Sequence, residues 1–222
     1  MTTVHANAPG TLAEVAAAVT RHKDLGTKPR HMWETYESYL APLRSRPLRL
    51  VEIGVHRGDS LRTFSAYFAA GAILGLDIQL PDLSGDRLPN VQTVICDQRD
   101  GARLVELCTA FAPGGADVII DDASHVGEWS LQTFRALFPI VAKGGLYIIE
   151  DWSTGYMAEW GDGAALTEVQ LADAAHGLHR RILSHDFGMV GLVKSLVDMV
   201  RIGQVALKRM VFHDTFVLLE KR

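Results

Sequence analysis

Two short stretches hold the residues best suited to chemistry. IIDDASH, residues 119–125, and IIED, residues 148–151, each run from β-branched apolar residues into acidic pairs, and the first adds His125 three positions after Asp122. Buried parallel strands have this character, and open α/β sheets hold their ligands at the carboxyl ends of such strands. If the two strands are neighbours, Asp122, Glu150 and Asp151 converge on one point beside His125. Three carboxylates suit a hard divalent cation such as Mg²⁺, which takes oxygen ligands and keeps positions open for water or substrate. A histidine next to them has a suitable pKa for a general base. Asp121 is ambiguous, because adjacent strand residues point to opposite faces: it is either structural or a cofactor contact.

Residues so placed need a scaffold, and the chain has a regular rhythm. Strands are expected over 48–54, 72–78, 91–97, 116–122 and 146–151, alternating with helices over 60–70, 101–111 and 128–138. That alternation predicts a parallel sheet with helices on both faces. Helices over 11–21 and 30–43 precede it, the second with Trp33, Tyr36, Leu40 and Leu43 on one face that reads as core or subunit contact. Lys143-Gly144-Gly145 reads as a turn. After a helix over 188–200, two strands flanking His213-Asp214 read as a hairpin that closes the sheet edge. An antiparallel end on a parallel sheet separates methyltransferase-type sheets from the plain dinucleotide-binding form. The expected fold is α/β and Rossmann-like, a mostly parallel seven-stranded sheet with an antiparallel C-terminal hairpin. One domain is expected over 1–222, with a helical extension over 1–46, a core over 47–222 and a lid over about 152–187.

The first strand runs into Glu52-Ile53-Gly54-Val55-His56-Arg57-Gly58-Asp59-Ser60 and then a helix. Glycines let backbone approach a ligand, and a helix start offers unpaired N–H groups. The spacing is looser than G-x-G-x-x-G, which weakens a pyrophosphate reading. Asp77 closes the second strand, where an acid can accept both ribose hydroxyls. Asp97 and Gln98 close the third, where an adenine edge would lie. Glu52, Gly54, Gly58, Ser60, Asp77, Asp97 and Gln98, with Asp121, are the candidate cofactor contacts. The plainer alternative is a tight strand–helix turn of a generic α/β domain.

These motifs resemble the class I S-adenosylmethionine-dependent methyltransferases, and among them the Mg²⁺-dependent sugar O-methyltransferases of macrolide and polyketide tailoring. The resemblance rests on Tyr36-x-x-x-Leu40-x-Pro42-Leu43-Arg44, VEIGVHRGDSLRTF, GLDI, CDQRD and IIDDASH, extended by LFPIVAKGGLYIIEDW and FGMVGLVKSLVD. IIDDASH followed by GGLYIIED is its specific part. The chain departs in a shorter first loop and in Ala123, where the family usually has Gly. The resemblance implies that Asp122, Glu150 and Asp151 hold Mg²⁺, that His125 is the general base, and that S-adenosylmethionine is the methyl donor. It implies a sugar hydroxyl of a glycosylated natural product or oligosaccharide as acceptor. The short chain makes members acting on mycobacterial methylmannose polysaccharides a further comparison.

Composition narrows the classes. The chain has 222 residues, enough to bury a full core, and a net charge of −4 that supplies no footprint for nucleic acid. Cys96 and Cys108 are far apart and form no CxxC, which argues against a zinc knuckle or disulfide scaffold. No signal peptide is visible, and the most apolar stretch, 187–200, is too short to span a bilayer. A cytoplasmic protein and a homo-oligomer are expected. Trp152, Tyr156 and Trp160, interleaved with Gly155, Gly161 and Gly163, read either as a cover that stacks on sugar rings or as simple packing. His176, His179 and His185 read as solvated or hydrogen-bonded, and His31 as a candidate contact to cofactor or substrate. Two other classes remain open: a cofactor-binding module without turnover, indifferent to Mg²⁺ and to His125, and a metal-dependent oxygenase, for which only His125 lies near the acids in sequence and a remote histidine such as His185 would have to complete the site.

Overall fold

In a computed structural model, the residues described are 10–22, 27–157, 159–160, 162 and 188–222. Seven strands form one sheet: β1 (Arg49–Ile53), β2 (Ala72–Asp77), β3 (Val91–Ile95), β4 (Ala116–Asp121), β5 (Val141–Glu150), β6 (Leu207–Phe212) and β7 (Phe216–Lys221). Their order is β3-β2-β1-β4-β5-β7-β6. The first five run parallel, and β7 pairs antiparallel with both β5 and β6. The expected mixed sheet and its terminal hairpin are what the chain forms.

Alternation along the strands sorts the core into two layers. Val51, Ile119, Tyr147, Ile149, Val217 and Leu219 pack on one face under α4 (Gly101–Phe111), α5 (Gly127–Leu137) and α6 (Met189–Arg201). Leu50, Val118, Ile120, Ile148 and Leu218 pack on the other under α1 (Leu12–Val19), α2 (Arg30–Leu40) and α3 (Asp59–Tyr67). Met32, Trp33, Tyr36 and Leu40 are buried in this second layer, so the apolar face of α2 is core.

Local chemistry explains the element ends. Thr11 and Glu14 form a reciprocal capping box that starts α1. Pro42 ends α2 in a single tight turn, Ala41–Leu43, before the helix reaches its expected length. Lys143-Gly144-Gly145, expected as a turn, instead lies within the longer strand β5. Between Ala116↔Val141 and Val118↔Leu146 the register shifts, and Gly144 takes φ +74° to carry the excess residues as a bulge.

The topology decides where the site sits. β1 is paired to both β2 and β4, and the carboxyl ends of β1, β4 and β5 lie side by side. In register, Glu52 is level with Ile120 and Ile120 with Ile148. A period of two then puts Glu52, Asp122 and Glu150 on the face covered by α1 and α2, and Asp121 on the face covered by α5.

Candidate active site

Asp122 begins the site. Its N–H donates to the Ile53 carbonyl at 2.8 Å, tying the loop after β4 to the end of β1. The chain then turns through His125, which has φ 53°, and Asp151 after β5 also has φ 53°. The left-handed region is uncommon outside glycine and clusters at functional sites. Asp151 is fixed by its own N–H, which donates to the Thr215 carbonyl at 2.7 Å.

The four residues singled out from the sequence do come close, but as two groups that share Asp122. On one side are Asp122, His125 and Asp151; on the other are Glu52, Asp122 and Glu150, the ligand atoms within each group lying within 4.8 Å of one another. His125 Nε2 is 3.6 Å from Asp151 Oδ2 and 3.9 Å from Asp122 Oδ1. These separations couple the charges without making hydrogen bonds. The Trp160 ring meets the His125 ring edge-on, centroids 5.1 Å apart.

In the second group Glu52 and Glu150 are buried and Asp122 is half-buried. Glu150 Oε1 accepts from the Tyr36 hydroxyl at 2.6 Å and Oε2 from the Lys28 ammonium at 2.6 Å. The same ammonium contacts Asp122 Oδ2. Glu52 Oε2 accepts from Ser60 Oγ at 2.7 Å, while its Oε1 has no hydrogen-bond partner and lies 3.9 Å from Lys28 Nζ. Burial pushes the Glu52 carboxyl up to about 7 and raises Glu150 and Asp151, with the Asp122 charge adding to both of the latter. Burial opposes the Lys28 charge, but Asp122, Glu150 and Glu52 outweigh it and hold its pKa above the ordinary value. One cation among so many acids leaves a deficit of positive charge. The donor set, all hard oxygens with an unpartnered buried one among them, fits a Mg²⁺-type ion.

Beside this cluster lies the candidate cofactor cleft, lined by Lys28, Gly54, His56, Asp59, Ser60 and Asp122 among others. Gly54 has φ +85°, and a side chain there would collide with the backbone of Asp122 and Ala123. Gly58 caps α3 at φ 79°. Asp77 Oδ2 accepts from the N–H groups of Val55 and His56 at 2.8 and 3.0 Å, so this acid shapes the loop. Asp97 is half-buried and clasped by Arg99 through hydrogen bonds that lower its pKa to about 2. Gln98 is buried and donates to Asp121 Oδ1 at 2.7 Å. Burial raises Asp121 to about 7, and its Oδ2 lacks a partner.

Three residues here had no sequence signal of their role. Lys28 is a lone cation before a proline; Tyr36 read as core or subunit contact; Asp162 accepts from the N–H groups of Gly127 and Met189, both at 2.8 Å, joining the starts of α5 and α6. The periodicity that puts Glu52 on the same face as Asp122 and Glu150 was readable, but its unpartnered oxygen was not. Gly161, Gly163, His176, His179, His185 and most of the expected lid lie outside the described residues.

The sheet order, the antiparallel β7 and the glycine loop after β1 together make this a Rossmann-like methyltransferase fold. In sequence the chain is homologous to O-methyltransferases of glycosylated natural products. It is 34% identical over 203 residues to the 8-demethyl-8-(2-methoxy-alpha-L-rhamnosyl)-tetracenomycin-C 3'-O-methyltransferase of Streptomyces olivaceus, covering 83% of this chain and 47% of that protein. It is 36% identical over 170 residues to demethylmacrocin O-methyltransferase of Streptomyces fradiae, covering 73% of this chain and 38% of that one. In structure it is similar to MycE, a methyltransferase of the mycinamycin pathway solved with Mg, SAH and mycinamycin VI. The TM-score is 0.74 at 27% identity, covering 96% of this chain and 55% of MycE. The chain thus spans about half or less of the length of these curated relatives. No family model matches it.

Proposed function

We propose that the protein is an S-adenosylmethionine- and Mg²⁺-dependent O-methyltransferase acting on a sugar hydroxyl of a glycosylated natural product or an oligosaccharide. The carrying observation is Asp122, which borders the glycine-loop cleft, the buried acids and His125 at once. The homology to rhamnosyl-tetracenomycin methyltransferases and the MycE complex with Mg and SAH support the same reading.

In this reading Asp122, Glu150 and Asp151 hold Mg²⁺, which supplies a Lewis acid that eases deprotonation of a bound hydroxyl. His125 accepts the hydroxyl proton at Nε2, and Asp122 and Asp151 stabilise the imidazolium that results. The acceptor oxygen then forms its bond to the methyl carbon as the carbon–sulfur bond breaks. Sulfur leaves as a neutral thioether and needs no acid. The remaining work is alignment: in this reading Glu52, Gly54, Gly58, Ser60 and Asp77 shape the cleft for the donor, and Asp97, Gln98 and Asp121 are assigned to its adenine end.

We extend the proposal to a single catalytic domain working as a cytoplasmic homo-oligomer. Among the described residues no helix is long and apolar enough to cross a membrane. A panel of glycosides and free oligosaccharides, incubated with methyl-labelled S-adenosylmethionine, tests the class. Label in at least one acceptor is expected; failure to bind the donor in calorimetry would sink the reading. Donor binding that is indifferent to Mg²⁺, with no acceptor labelled, would favour a binding module.

A further inference from the structure

The Lys28 ammonium ends among oxygens from β1, β4 and β5, with only 10% of its side chain exposed. Glu52, Asp122 and Glu150 define a cation position there, and an amino group fills it. The filling is incomplete, because fully buried Glu52 keeps one oxygen without a hydrogen-bond partner. Resting on the metal reading above, we propose that Lys28 is an internal stand-in cation, which must leave this cluster before a divalent ion can engage Asp122 and Glu150 together.

The geometry of Glu150 carries the argument. Tyr36 donates to Oε1 and Lys28 to Oε2, and the same ammonium contacts Asp122, so an ion entering between Glu150 and Asp122 would have to share oxygens with Lys28. An ammonium and a dication sharing Oε2 would repel at close range in a poorly screened site. Without any cation, Glu52, Asp122 and Glu150 would repel one another in a buried place, so Lys28 lets the site fold before the ion arrives. Departure requires no unwinding of α2. Lys28 lies ahead of Pro29, the extended residue that caps that helix, and it already borders the cofactor cleft. Metal loading therefore trades a single charge for a double one and sends the ammonium toward the donor's cleft.

The test is acetylation of the cofactor-free wild-type protein with acetic anhydride, with and without Mn²⁺, read by mass spectrometry with exposed Lys143 as reference. Lys28 acetylation should rise on the order of tenfold as Mn²⁺ saturates, because a buried amine becomes reachable. By electron paramagnetic resonance, Lys28→Met should bind Mn²⁺ about tenfold tighter or better, on the scale by which neighbouring groups tune metal affinity. Glu150→Gln should lose that gain. Lys28 that stays protected at saturating Mn²⁺ overturns the proposal and leaves it a permanent counter-ion. So does a folded Lys28→Met that binds no tighter; if that variant fails to fold, wild-type labelling decides alone. Wild-type protein that binds no Mn²⁺ removes the metal reading itself and this inference with it.

Discussion

The backbone of Asp122 fills the space that a β-carbon on Gly54 would need. The cofactor loop and the acidic centre are thus packed directly against each other. Gly54 also has φ +85°, a conformation that other residues adopt at a cost. Gly54→Ala should lower stability by about 3 kcal/mol, since strain and a clash with backbone add. Urea unfolding measures this, and a loss within a few tenths of wild type would show that the loop can relax.

Tyr36→Phe keeps the ring in the core and removes the hydroxyl that donates to Glu150 Oε1 at 2.6 Å. A buried carboxylate oxygen loses its partner, at about 1–3 kcal/mol. The same variant should need more Mg²⁺ for half-maximal activity, because Glu150 is no longer steered. Unchanged stability and unchanged Mg²⁺ dependence would make the hydroxyl incidental.

Asp162 ties two helix starts together through Gly127 and Met189. Asp162→Ala leaves two buried N–H groups without an acceptor, each worth about 1–3 kcal/mol. The expected result is a clear fall in thermal midpoint, whereas Asp162→Asn, which keeps an acceptor oxygen, should recover part of it. Equal midpoints for Asp162→Ala and wild type would contradict the role.

Glu220 on β7 has its carboxyl pKa lowered by its hydrogen bond to Lys208, which outweighs burial, and by Arg209. A carboxyl depressed on folding contributes stability above its unfolded pKa, near 4.3 for glutamate as a rough reference. That contribution is lost as pH falls through the lower folded value. Glu220→Gln should therefore flatten the acid limb of stability against pH and leave its shape near neutrality alone. Thermal melts from neutral pH to about pH 3 read this out, and a wild-type acid limb in the variant would assign the effect elsewhere.

Much of this was legible because it is periodic. Apolar runs ending in IIDDASH and IIED marked β4 and β5, and their acids fell where strand ends had to be. What escaped has no local period. Lys28 meets Asp122 and Glu150 from 94 and 122 positions away. Tyr36 was read by its apolar ring, although its hydroxyl reaches Glu150. The left-handed turns at His125 and Asp151 follow from the packing of loops and leave no mark in residue type. They are also why Asp151 joins His125 while Glu150 joins Lys28, a division the triad as read from the sequence did not contain.

The most direct measurement is methyl transfer from labelled S-adenosylmethionine to a responding glycoside, in Mg²⁺ or in EDTA, for wild type and His125→Ala. The account predicts that EDTA abolishes transfer, that Mg²⁺ restores it, and that His125→Ala loses about 100-fold or more in kcat while still binding the donor. Transfer that survives both EDTA and loss of His125 would contradict it.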